Sequence, residues 1–141
     1  MKYTIPAGRL LFALIFIFSS FGHFNEQTIA FAAAKGLPFA SLLVPLSGLV
    51  ELAGGLSILL GFRAKAGAWL LVLFLVPVTL TFHQFWTIAE PMARQMELAA
   101  FLKNLSLLGG ALIIARFGAG EFSLDRFLER RKFSGNTPAA A

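Results

Sequence analysis

Six polar residues sit inside, or at the ends of, long apolar runs: Arg9, His23, Glu51, His83, Lys103 and Asn104. Glu51 lies in the middle of LLVPLSGLVELAGGLSILLGF, Leu42 to Phe62. A carboxylate in hydrocarbon costs at least a few kcal/mol, so it faces a partner or a wet cavity. Two chemistries fit such a group. It is an ion-pair partner that holds helices together, or it is a proton or ligand site. At 1.5 Å rise per residue, Lys103 and Arg9 each fall ~8 Å in depth from Glu51, within reach of long side chains. Arg9 also fits a structural role, its head drawn to the nearer membrane surface. His23 and His83 fall at the outer helix ends, where a histidine serves as a hydrogen-bonded structural group, a proton carrier or a metal ligand. Two histidines without a nearby acid pair make no metal-site pattern, so no metal is expected.

The elements that position these residues follow from composition. The chain has 141 residues, 57% hydrophobic and 13% charged, with a mean hydropathy of +0.77, too apolar for a soluble domain of this size. Apolar runs without alternation predict lipid-spanning helices rather than a barrel. Four spans are expected, at about 5–24, 42–61, 66–85 and 97–117. The fold class is therefore all-α, an integral membrane four-helix bundle over 1–120. Pro6 suits a helix start and Pro77 a kink within the third span. The first run also resembles a signal peptide, but its length and the distance to Ala32–Ala34 favour a span. Asn25 to Pro38 reads as a connection, with an interfacial helix at Thr28–Lys35. Ser123 reads as an N-cap for a basic amphipathic helix within 121–133, lying on anionic lipid, and 134–141 as a disordered tail.

Nine of the twelve Lys and Arg residues lie in the N-terminus, the Arg63/Lys65 turn and the segment from Arg116 onward. By the positive-inside rule both termini are cytoplasmic. The basic residues thus orient a membrane protein rather than bind nucleic acid. The chain has no cysteine, which excludes disulfides, dithiol redox chemistry and thiolate metal sites. No Ser/His/Asp set, phosphate-cradling loop or paired carboxylate stands out. Ser47, Glu51, Gly54 and Ile58 share one helix stripe, as do Lys103, Ser106 and Gly110, and Thr79 and His83. Ala53, Ser57 and Gly61 form a small-residue stripe suited to helix contact, including contact with a second copy of the chain.

The run from Arg9 to SSFGHF, the block ELAGGLSILLGFRAKAGA, FHQFW and the block KNLSLLGGALIIARFGAGEFSLD together resemble the DoxX family of small four-span bacterial inner-membrane proteins. The resemblance implies a quinone- or lipid-type ligand at Arg9, His23, Glu51, His83, Lys103 and Asn104. It also implies an accessory role in a redox or oxidative-stress assembly. With no haem-ligating pattern, an independent oxidase activity is not expected. The leading expectation is an outer-half cavity lined by Glu51, Lys103, Asn104 and His83. There Lys103 and Asn104 would bond a polar head, and Glu51 would orient Lys103 or take a proton. A small transporter for a proton or weak acid is the alternative, and a membrane scaffold or assembly factor the next. Expected partners are membrane lipids, a hydrophobic small molecule, and redox-complex subunits or further copies of the chain.

Overall fold

The computed structural model describes residues 3–134. It contains α1 (Thr4–Ser20), α2 (Glu26–Ala34), α3 (Ala40–Leu60), α4 (Ala64–Phe82), α5 (Pro91–Phe117) and α6 (Leu124–Ser134), and no strand among the described residues. Short 3-10 turns follow α1 at Phe21–Phe24 and α4 at Phe85–Thr87. Four segments are long and apolar enough to cross a membrane: Thr4–Phe24, Ala40–Leu60, Ala64–Thr87 and Pro91–Phe117. A chain without water to satisfy its amides closes them within helices, which is why the apolar runs and the helices coincide. The tail assigned to 134–141 lies, from residue 135 on, outside the described residues.

Neighbours in the chain are neighbours in the bundle: α1 packs on α3, α3 on α4, and α4 on α5. The core is formed by Ala13, Phe16, Ile58, Ala68, Leu71, Phe74, Leu75 and Ala111. Along α5 only Asn104 and Ala111 are buried, so this helix is the most peripheral of the four. We call the end carrying the N-terminus and α6 the terminal end, and the opposite one the distal end.

At the terminal end the α3–α4 turn is clasped from both sides. Gly61 ends α3 in the left-handed region (φ 66°), and its amide returns to the Ile58 carbonyl at 3.2 Å. A Cβ at Gly61 would stand 2.6 Å from Ser123 Cβ and 2.7 Å from Arg9 Nη1, so only glycine admits both neighbours. The Arg63 amide donates to Asp125 Oδ2 at 2.8 Å, and the Asp125 amide donates to the Gly61 carbonyl at 3.2 Å. Ser123 Oγ accepts from the Arg126 amide at 3.4 Å at the start of α6. Ser57 Oγ donates to the Phe62 carbonyl at 2.6 Å. Ser57 and Gly61 are thus used inside the chain, because the turn needs them there.

The distal half is built differently. Ser19 lies opposite Glu51 and Arg9 opposite Leu59, so the first turns of α3 run past the end of α1. They are covered instead by α2, where Ala32 packs with Ala40 and Val44, supported by Ile29, Leu37 and Phe82. The Asn25 side chain caps α2, accepting from the Gln27 amide at 2.9 Å. Pro77 inside α4 cannot donate to the carbonyl one turn back, which loosens the helix there. The start of α5 at Pro91 precedes the apolar run because Glu90 caps it, accepting from the Met92 and Ala93 amides at 3.0 and 2.6 Å. Those two bonds hold the Glu90 carboxyl below its ordinary range.

Candidate functional site

Close approach of α1 and α3 carries His23 to Glu51. A Cβ at Gly48 would lie 2.6 Å from His23 Cβ and 3.1 Å from the Ser20 carbonyl oxygen, so glycine there lets the 3-10 turn settle on α3. His23 Nε2 then stands 3.2 Å from Glu51 Oε2, and its Nδ1 stands 2.8 Å from Ser47 Oγ and 3.2 Å from the Val44 carbonyl. Ser47 Oγ donates to the same Val44 carbonyl at 2.7 Å. Ser19 Oγ donates to Glu51 Oε1. The result is one chain of polar groups: Ser19, Glu51, His23, Ser47.

The proton inventory follows from these partners. Val44 O only accepts and the Ser47 hydroxyl proton points to it, so His23 Nδ1 carries a hydrogen. Between Nε2 and Glu51 Oε2 there is then one further proton, on either the imidazole or the carboxyl. Without it, a lone pair would face a carboxylate in a site where Glu51 is only 3% exposed. The two atoms are within ion-pair distance, but the ring N–H does not point squarely at the oxygen. Glu51 Oε2 therefore has no well-directed hydrogen bond of its own.

The other expected site residues fall elsewhere. Arg9, 8% exposed, donates from Nη1 to the Ala119 carbonyl at 2.6 Å and from Nη2 to the Leu59 carbonyl at 3.3 Å. It belongs to the terminal clasp and forms no pair with Glu51. His83 Nδ1 meets Glu97 Oε2 at 2.8 Å near the distal end. Asn104 is buried and donates to Thr79 Oγ1 at 3.0 Å, joining α5 to α4. Lys103 is exposed and makes no ion pair among the described residues. Of the four residues expected to line one cavity, Glu51, Asn104 and His83 thus enter three separate contacts and Lys103 none among the described residues.

A cavity of about 570 Å³ does exist in the distal half, on the other face of this polar chain. It is a groove between α3 and α4, partly covered by α2. Val44, Val50, Leu70, Leu73, Phe74, Pro77 and Val78 give it an apolar trough. Its polar lining is confined to His23, Ser47, Thr28, Thr81 and His83. Of the expected residues only His23 and His83 reach it. Thr28, Thr81 and the partner acid Glu97 were not singled out by sequence. Thr81 lies two positions before His83, a spacing that an α-helix does not place on one face, and the end of α4 at Phe82 lets both line the groove.

Comparison with known proteins gives a consistent picture. The SURF4 family model matches residues 1–132. Inner membrane protein YqjF of Escherichia coli K12 is 33% identical over 129 residues, 90% of this chain and 93% of that protein. Inner membrane protein YphA of the same organism is 28% identical over 121 residues, 84% of this chain and 86% of that protein. The Surfeit locus protein 4 homolog of Schizosaccharomyces pombe is 31% identical over 124 residues, 87% of this chain but 37% of that protein. No solved structure matches the chain significantly. These matches overturn the resemblance to the DoxX family. The ELAGG and KNLSLLGG blocks are apolar, small-residue helix sequence, which four-span bundles of different families can share. The quinone, redox and oxidative-stress expectations rested on that resemblance and fall with it. With four apolar spans and inner-membrane relatives, the protein is a multi-pass inner-membrane protein.

Proposed function

The chain belongs to the SURF4 family, and on that premise we propose that it binds one amphipathic, lipid-type molecule in the groove between α3 and α4. The observation that carries this reading is the groove itself: about 570 Å³, apolar along its trough, with its few polar groups grouped around His23 and His83. That volume lies in the range of small-molecule sites, and a mostly apolar lining with a few placed polar groups is their common composition. The tail of the ligand lies along Leu73, Phe74 and Val50, and its head lies toward the mouth. The Ser19–Glu51–His23–Ser47 chain backs the groove where α1 meets α3, and His23 and Ser47 present their polar atoms to it. The bias of Lys and Arg supports a cytoplasmic terminal end, with α6 against anionic lipid there.

A transport path through Glu51 is the weaker reading. It needs polar continuity from Arg9 to His83. Arg9 is committed to two carbonyls, and Ala13 and Phe16, which separate it from Ser19 along α1, are buried in the apolar core. The binding reading is tested with a photoreactive, diazirine-tailed glyceride added to membranes, followed by peptide mapping. Labelling concentrated on α3 and α4 and competed by unlabelled lipid is expected. Labelling spread evenly over α1 and α5 as well, as annular lipid would give, would refute it.

A further inference from the structure

The mouth of the groove has a chemistry of its own. His83 lines it, and its Nδ1 is taken by Glu97 Oε2 at 2.8 Å. With the carboxylate accepting, Nδ1 carries the hydrogen and Nε2 is left as the acceptor of the neutral ring. Nε2 has no partner among the described residues, nor do the hydroxyls of Thr28 and Thr81, which line the same groove. One imidazole acceptor and two hydroxyls, each able to donate or accept, form a set suited to an alcohol.

Charge narrows the choice. Among the described residues no Lys, Arg, Asp or Glu lines the groove. A carboxylate stands behind each lining histidine, Glu97 behind His83 and Glu51 behind His23, and disfavours an anionic head. Lys35, the one cation of the α2 segment, rests with Nζ 5.6 Å from the centre of the Phe31 ring, outside the lining. A phosphate or carboxylate head would enter the mouth without a countercharge and lose its hydration, which makes a charged head costly there.

Resting on the groove reading above, we infer that the ligand is an uncharged, hydroxyl-headed amphiphile of the glyceride or long-chain alcohol class. Its O–H donates to His83 Nε2, its oxygen accepts from Thr81 or Thr28, and Glu97 acts as the positioning residue that holds the His83 tautomer.

The test is a native mass spectrometry titration of the full chain in mild detergent, with four probes of one chain length: monoolein, methyl oleate, oleate and oleylamine. Monoolein is expected to form a one-to-one adduct and to bind about fivefold or more tighter than methyl oleate, the worth of one or two net hydrogen bonds. His83→Phe should lower monoolein to the level of methyl oleate and leave methyl oleate unchanged. Glu97→Gln should give a smaller loss. Oleate binding as well as monoolein, or all four probes binding alike, would overturn the assignment of the head while leaving the groove as a lipid site. If no probe forms a one-to-one adduct, the groove reading itself fails. Should His83→Phe not fold, the ranking of the four probes on the unsubstituted protein decides alone.

Discussion

The two halves of this bundle use their polar side chains in opposite ways. At the terminal end they are committed to the backbone: Arg9 to the Ala119 and Leu59 carbonyls, Ser57 to Phe62, and Asp125 to the Arg63 amide. In the distal half the caps Asn25 and Glu90 are also backbone bonds, but the groups beside the groove are joined side chain to side chain: Ser19 to Glu51, Glu51 to His23, His23 to Ser47, and His83 to Glu97. Bonds to the backbone fix where helices end and turn. Bonds between side chains place proton-carrying and hydrogen-bonding groups beside an unfilled volume. The terminal half thus secures the fold, and the distal half holds the groove in which we propose a ligand site.

The comparison can be broken at either end. The largest effect is expected at Glu51. Glu51→Leu leaves His23 Nε2 and Ser19 without their buried partner and should cost about 3 kcal/mol, by the range for a broken buried polar pair. Glu51→Gln keeps hydrogen bonding to both and should cost about 1 kcal/mol. Thermal unfolding in mild detergent measures both, and equal losses would show that an amide cannot stand in for the carboxyl and that hydrogen bonding alone is not what Glu51 contributes. Arg9→Ala comes next. It should cost about 2 kcal/mol, because the Ala119 and Leu59 carbonyls lose a charged donor. Limited proteolysis between α5 and α6 should speed up while lipid occupancy of the groove stays the same. A fall in occupancy would mean that the two halves are coupled rather than separate.

The smallest effect lies at Glu90. Its folded carboxyl titrates below the ordinary range, so its contribution is present above the unfolded value and is lost as pH falls through the lower folded one. Hydrogen exchange at the Met92 and Ala93 amides should therefore gain, on acidification through the carboxylate range, an acceleration that Glu90→Gln lacks. The same pH response in both proteins would remove the cap from the description.

Much of the fold was readable because lipid removes choices. A run such as Ala66 to Phe82 has no way to satisfy its amides except as a helix, so four spans followed from composition and length. Glu51 was legible for the same reason, as the acid in the middle of a span. Its partner was not. Hydropathy places His23 at the outer end of the first span. The helix stops at Ser20, however, and a 3-10 turn, admitted by Gly48 on another helix, brings His23 back against α3. No local pattern encodes that contact. The pairing of His83 with Glu97 depends likewise on how α4 and α5 meet. The groove depends on α2 covering turns of α3 that α1 fails to reach, a feature of the whole bundle. Lys103 was drawn into the site by its depth, by its stripe with Ser106 and Gly110 and by the family resemblance, and none of these specifies which neighbour a side chain meets.

The central claim is that the groove between α3 and α4 holds one lipid-type molecule and that the terminal clasp has no part in holding it. Native mass spectrometry of the protein purified in mild detergent, compared with Val78→Trp, which fills the trough, and with Arg9→Ala, tests this directly. A single bound amphiphile retained by the unsubstituted protein and by Arg9→Ala, but lost from Val78→Trp at unchanged thermal stability, is the expected result. The same lipid content in all three proteins would contradict it.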